Sequence, residues 1–348
     1  MAITIGDKII SEKSSVFIVA ELSANHKQDI ELAKDTIHAM KEAGADAVKL
    51  QTYTPDTITI NCDNEYFRIK QGTLWDGKTF YQLYQEAYTP WEWHYELKEL
   101  AEKLGLIFFS TPFDKTAVDF LEELDVPAYK VASFEITDIP LIEYIASKGK
   151  PVIISTGIAT LCDIQEAVDA CLRQNNDQIV LLKCTSAYPA PLEEVNLNTI
   201  PNMKETFGCY VGLSDHTTGI EVPVASVALG ARVIEKHFIL SKDIDSPDKE
   251  FSLTPEEFKQ MVKAVRNVEK ALGRVTYSLS EKIKKSRQFG RSLFVVRDIK
   301  AGEIFTEDNV RSIRPGFGLP PKYLPEILGR RARKDIKKGT PLDWNLIE

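Results

Sequence analysis

Short continuous apolar runs punctuate the chain at residues 16–22, 47–53, 106–113, 128–135, 151–157, 179–186, 210–215 and 232–238. Runs of this length, apolar at successive positions and rich in Val, Ile and Phe, predict strands buried on both faces, the habit of a parallel sheet. Between them the apolar spacing changes to a helical period. Leu32, Ala33, Ile37, Met40 and Ala43 share one face of a helix over residues 30–43 that Gly44 stops. Further helices are expected over residues 91–104, 115–124, 139–147, 161–173 and 219–229. A Thr254 cap with Glu257 three residues on opens the last one, over residues 255–272.

Eight alternating strand–helix units in residues 1–275 predict an α/β protein with a (β/α)8 TIM barrel as its catalytic domain, a fold that typically takes roughly 250 residues. An open doubly wound sheet is the runner-up, but no Gly-x-Gly-x-x-Gly follows the first strand. Residues 54–88 form a long connection with weak helical signal and an aromatic cluster of Tyr66, Phe67, Trp75, Phe80, Tyr81 and Tyr84. Such a connection on a barrel either shapes a substrate pocket or is a surface flap. After Gly273 the character changes. Residues 276–289 are polar and charged and read as a linker, and residues 290–348 read as a small β-rich domain. The repeated strings DIKAGE (298–303) and DIKKGT (335–340) suggest two similar turns within it.

Charge sharpens the division. The net charge is -8, yet from Lys282 onward 16 Lys and Arg stand against 8 Asp and Glu, so the tail is +8 and the remainder -16. No nucleic-acid motif accompanies the basic residues, which are interleaved with apolar ones, so docking of a basic domain onto an acidic one is the simpler expectation and no nucleic-acid partner is expected. The five cysteines form no CxxC pair and are odd in number, as suits reduced thiols in a cytosolic protein. The N-terminus lacks the basic start and apolar core of a signal peptide, and no apolar run approaches the ~20 residues that span a bilayer. A soluble, cytoplasmic protein without a membrane partner is expected.

In such a barrel, functional groups gather at the C-terminal ends of the strands. Those ends carry Glu21, Lys49, Gln51, Thr111, Lys130, Ser133, Glu135, Ser155, Lys183, Ser186, Ser214, Asp215, His216, Glu235, Lys236 and His237. His216 and His237 end two consecutive strands and either share a divalent metal or are rim histidines satisfied by hydrogen bonds. Lysines inside apolar strands, Lys49 and Lys130 above all, are costly unless they meet an anion, and the hydroxyls of Thr111, Ser133 and Ser214 would complete a phosphate or carboxylate cradle. The alternatives are ion pairs with Glu21 or Glu135, or a Schiff-base lysine at position 49, 130 or 183.

The motifs Glu21-Leu-Ser-Ala-Asn25-His26, Lys49-x-Gln51-Thr52, Phe109-Ser-Thr111-Pro-Phe113, Tyr129-Lys130-x-Ala-Ser133-x-Glu135, Ser155-Thr-Gly157, Lys183-Cys-Thr-Ser-x-Tyr188-Pro189, Gly212-Leu-Ser-Asp-His216 and Glu235-Lys-His237-Phe resemble, in order, the sialic acid synthase family. Residues 290–348, with Arg314-Pro-Gly316, resemble its antifreeze-like (SAF) domain. Residues 49–59, 72–84, 133–138 and 314–322 are most similar to the branch of the family that makes pseudaminic acid; Ser186 departs from the Asn of the common sialic acid enzymes.

The resemblance implies condensation of phosphoenolpyruvate with an open-chain 2,4-diacetamido-2,4,6-trideoxyhexose, giving a nonulosonic acid and phosphate by C–O cleavage. N-acetylmannosamine or a legionaminic acid precursor is the alternative acceptor. It further implies Mn²⁺, or Mg²⁺ or Co²⁺, on His216 and His237. Lys49, Thr111, Lys130, Ser133, Ser186 and Ser214 would hold phosphoenolpyruvate. Glu135 would carry the proton with Lys49 and Lys130 assisting, and Glu21, Gln51, Tyr188 and Arg314 would contact the sugar. Family members are homodimers whose C-terminal domain covers the partner's barrel.

Overall fold

Every residue of the strand Phe17–Glu21 is buried, as its unbroken apolar run predicts. It belongs to a computed structural model that describes residues 2–70, 72 and 74–348. The chain divides into two units, Met1–Gly273 and Arg274–Glu348. In the first, an antiparallel hairpin of β1 (Ile3–Ile5) and β2 (Lys8–Ile10) precedes the strands β3 (Phe17–Glu21), β4 (Ala47–Thr52), β5 (Ile107–Pro112), β6 (Tyr129–Val131), β7 (Val152–Ser155), β8 (Ile179–Cys184), β9 (Tyr210–Asp215) and β10 (Val233–His237). These eight close into a parallel barrel in chain order, with β10 pairing β3. The expected (β/α)8 barrel is therefore the fold.

The helices follow their local signals. Asp29 caps the helix Ile30–Ala43 by accepting from the amides of Glu31 and Leu32, and Gly44 ends it at a φ of 92°, a conformation that suits only a residue without a side chain. Thr160 opens Leu161–Arg173 and Thr254 opens Pro255–Leu272, each with a reciprocal capping box. Three features escaped the apolar pattern: the β1–β2 hairpin, the helix Thr199–Phe207, and the shortness of β6, after which Ser133–Glu135 coils into a 3₁₀ turn. That turn sets Ser133 and Glu135 at the cavity in the barrel mouth.

The connection after β4 holds two short helices, Pro55–Ile58 and Phe80–Ala87, each opened by a threonine capping box. Gln71 and Thr73 within it lie outside the described residues. Among the described residues, no helix is long and apolar enough to cross a membrane.

In the second unit β11 (Ser292–Val295) pairs antiparallel with β12 (Val310–Ile313) over a separate core that includes Leu293, Phe305, Val310, Ile327 and Ile336. The two DIK turns are reciprocal. Ile299 and Ile336 exchange amide–carbonyl bonds of 2.9 and 2.8 Å. Asp335 accepts from the Ala301 amide and Asp298 from the Lys338 amide, both at 2.9 Å. Part of the stretch read as a linker is helical, Glu281–Ser286.

Candidate active site

Strand register assembles the rim. β4 aligns Lys49 with Glu21 and, two residues on, Gln51 with Thr111; β10 aligns His237 with Glu21 and Glu235 with Ser214. Side chains alternate across each strand, so Glu235 and His237 point into the barrel while Lys236 points out, where its ammonium donates to Asp215 at 2.6 Å between barrel and helices. Inside the mouth lies a cavity of about 690 Å³. Lys49, Gln51, Thr111, Lys130, Ser133, Glu135, Ser186, Tyr188, Ser214, His216 and His237 all line it.

Two expected residues stand apart. Glu21, assigned to sugar contacts from the sequence, does not line the cavity; it is fully buried and ion-paired with Lys49. Its place beside Lys49 on the adjacent strand makes it the lysine's counter-charge. Arg314 belongs to the second unit and is exposed.

The cavity floor is ionic. Lys49 is 3.8 Å and Lys130 3.9 Å from the same oxygen of Glu235, to which Ser214 also donates at 3.2 Å. Lys49 donates to Thr111 at 3.1 Å, and Lys130 to Ser155 at 2.7 Å and the Val131 carbonyl at 3.0 Å. Burial pulls the Lys130 ammonium down against the pull of Glu235. Burial acts the same way on Lys49, but Glu21 and Glu235 outweigh it and hold its pKa up. Burial pushes the Glu235 carboxyl up, and the two lysines more than offset it, keeping the group ionised. Burial raises the pKa of Glu21. Two cations and the hydroxyls of Thr111, Ser133, Ser155 and Ser214 thus face one end of the cavity, the donor set an anion with several oxygens requires.

The rings of His216 and His237 lie 5.3 Å apart, centre to centre. His216 Nδ1 lies 3.2 Å from the Thr185 carbonyl, which leaves its Nε2 as the nitrogen for a ligand. His237 Nδ1 is buried without a hydrogen bond, 3.5 Å from the Asp248 carboxylate. Tyr188 and Phe251 pack against the His216 ring at 4.6 and 5.6 Å and fix its plane. Among the described residues no three His, Cys, Asp or Glu side chains group as a metal site. A metal here would rest on two imidazoles: the Thr185 carbonyl faces His216 Nδ1 and the Asp248 carboxylate faces His237 Nδ1, which leaves Nε2 of each ring for a ligand.

Glu135 is the acid–base candidate: burial raises its pKa to about 7, and its Oε2 is buried without a hydrogen-bond partner. Ser133 accepts from the Gly157 amide at 3.1 Å, which aims the hydroxyl. A Cβ at Gly157 would stand 2.1 Å from Ser186 Oγ and 2.8 Å from Ser133 Oγ, so the glycine is what lets the two hydroxyls approach. Gln51 donates to Ser23 at 2.9 Å, and Trp75 packs on Tyr188 at 5.6 Å.

Sequence reasoning missed Asp248 and Phe251, which come from the irregular segment after β10 and carry no periodic signal. It also passed over Cys184, whose sulfur is 3.7 Å from His216 Nδ1. Burial pushes that thiol up, but the facing imidazole and Ser133 outweigh it and bring its pKa to about 7. Glu235 was visible as a strand-end carboxylate, and only register gave it two lysines.

Comparison with known proteins agrees with this fold. Residues 36–277 match the NeuB family and residues 290–348 the SAF domain. The chain is 52% identical to a pseudaminic acid synthase of Campylobacter jejuni over 94% of its length and 95% of that protein's. It is 38% identical to an N,N'-diacetyllegionaminic acid synthase of Legionella pneumophila, over 99% of this chain and 98% of that one. The crystal structure of an N-acetylneuraminic acid synthetase from Leptospira borgpetersenii, in complex with citrate, superposes with a TM-score of 0.74 at 31% identity, covering 82% of this chain and 95% of that one. This chain belongs to the NeuB family and carries a C-terminal SAF domain.

Proposed function

We propose that the protein condenses phosphoenolpyruvate with 2,4-diacetamido-2,4,6-trideoxy-L-altrose to give pseudaminic acid and phosphate. The observation that carries the chemistry is the convergence of Lys49 and Lys130 with four hydroxyls in one cavity that also holds the histidine pair. The choice of acceptor rests on the 52% identity to a pseudaminic acid synthase against 38% to the legionaminic acid enzyme.

Lys49, Lys130, Thr111, Ser133, Ser186 and Ser214 hold the phosphate and carboxylate of phosphoenolpyruvate. Positive charge that develops at C2, as C3 bonds to the aldehyde carbon, lies against Glu235 and the bound anionic groups. Glu135 passes a proton to or from the aldehyde oxygen or the water that attacks C2, a task matched by a pKa of about 7. Phosphate then departs with its bridging oxygen. His216 and His237 would hold a divalent ion, Mn²⁺ before Mg²⁺ or Co²⁺, which supplies Lewis-acid polarisation of the aldehyde. Gln51 and Tyr188 orient the sugar's polar groups. In a cytoplasmic homodimer, Arg314 of the SAF domain reaches the sugar in the partner's barrel.

Phosphate release measured with phosphoenolpyruvate and each of three sugars tests the reading. The trideoxy-altrose is expected to give the highest kcat/KM, above N-acetylmannosamine and the legionaminic acid precursor; a higher value for either of those moves the chain to another branch. Borohydride with substrate is expected to leave the protein unlabelled, and a trapped lysine adduct would replace this chemistry with a Schiff-base one.

A further inference from the structure

We infer that the connection after β4 builds an apolar subsite from Ile58, Ile69, Phe80 and Leu83 that receives the C6 methyl group of the acceptor and discriminates against a hydroxyl there. This rests on the condensation proposed above. All four side chains line the same cavity as Lys49 and Lys130, and none belongs to the hydrophobic cluster of the barrel. They are thus apolar groups turned to the ligand space and not spare core.

The subsite is built to be firm. Ile58 sits at the end of the helix Pro55–Ile58, and Phe80 and Leu83, three residues apart, share a face of the helix Phe80–Ala87. Ile69 is pinned by amide–carbonyl bonds of 2.9 Å to Lys78 and 3.1 Å from Gly77. Beside them Tyr84, which lines the cavity too, stacks on Phe80 at 6.1 Å and meets Tyr53 edge-on at 5.5 Å. Ile69 is 3% and Leu83 8% exposed, so a hydroxyl set against them finds few waters and no side-chain donor on these four residues.

Chemistry fixes which part of the sugar meets the wall. C1 of the open-chain acceptor bonds to C3 of phosphoenolpyruvate and must lie over the lysines, which the strands themselves carry. C6 is the far end of the same chain and extends toward the connection, whose Ile58, Ile69, Phe80 and Leu83 line the cavity together with Trp75 and Tyr84. A methyl group buries favourably against the first four side chains, whereas the oxygen of a hydroxymethyl group finds no donor or acceptor on them.

The test uses the full-length protein and two acceptors that differ at one atom, the 2,4-diacetamido-2,4,6-trideoxy sugar and its 6-hydroxy counterpart. Wild type is expected to favour the methyl sugar by roughly a hundredfold in kcat/KM. Leu83→Asn and, as an independent variant, Ile58→Asn at a half-exposed position are expected to lower that ratio at least about tenfold through the acceptor KM, with the phosphoenolpyruvate KM unchanged. Leu83→Met is expected to retain the wild-type ratio. Equal use of both sugars by wild type, or a ratio that neither Asn variant moves, overturns the subsite while leaving the condensation standing. Absence of phosphate release with either sugar overturns the condensation itself and this inference with it.

Discussion

Glu235→Gln measures how far the cavity floor depends on one carboxylate. Its Oε1 is 3.8 Å from the Lys49 ammonium and 3.9 Å from that of Lys130, and the group is 5% exposed. Each attraction is worth about 4 kcal/mol at an effective dielectric of about 20. Against that sum stand the carboxylate's own desolvation and its repulsion of Glu21. Removing one partner of a buried ionic cluster leaves the others uncompensated, so a net loss of about 3 kcal/mol is expected. For a domain of this size about 2 °C of Tm accompanies each kcal/mol, which places the variant about 6 °C below wild type in a thermal melt. Phosphoenolpyruvate brings the missing negative charge. Saturating ligand should therefore raise the variant's Tm by more than it raises that of wild type. A variant that melts within about 1 °C of wild type and responds equally to the ligand would refute the argument that the two lysines are held by Glu235.

Three further outcomes are expected. Burial raises Glu135 from 4.5 to about 7, so the folded protein keeps a proton that the unfolded chain releases between those values, and the linked destabilisation grows across that window and is complete above it, at up to about 3 kcal/mol. Glu135→Gln should therefore gain stability over wild type at about pH 8 and match it near pH 4 while losing activity; a stability difference constant with pH argues against burial as the cause. Lys236→Met strands the Asp215 carboxylate, 3% exposed, and should cost about 3–5 kcal/mol in melts, whereas Lys236→Met with Asp215→Leu should recover most of it; a double variant no better than the single would mean the pair does more than neutralise itself. Gly157→Ala drives a methyl group into Ser133 and Ser186 and should raise the phosphoenolpyruvate KM at least about tenfold, with about 2–6 °C lost in Tm to overpacking, and steady-state kinetics that leave that KM unmoved would remove those hydroxyls from the cradle.

The eight strands, the class of barrel and the separate β-rich tail were legible because each rests on local signals. Continuous apolar runs specify strands buried on both faces, as at Phe17–Glu21, and capping residues such as Asp29 and Thr254 specify where helices begin. Strand ends could be read too, and with them Lys49, Lys130, His216 and His237, because polar residues closing apolar runs stand out. The N-terminal hairpin, with three residues to a strand, gave a pattern too short to register. The 3₁₀ turn at Ser133–Glu135 lies inside an apolar stretch that promised more strand.

Pairing was the work of the tertiary structure alone. The run Val233–His237 reads as five residues in a row, but the pleat sends Glu235 and His237 inward and Lys236 outward, and only barrel closure brings Glu235 to two lysines from β4 and β6. Register likewise set Glu21 beside Lys49 as its counter-charge. Asp248 reached His237 from a loop with no periodicity to announce it, and the apolar wall of Ile58, Ile69, Phe80 and Leu83 came from three separate turns of one connection. A sequence thus determines which residues are apolar, capped or strand-ending, since those preferences act within a few positions along the chain. Which charges meet across a cavity depends on contacts between residues far apart in the chain, and those exist only once the barrel has closed.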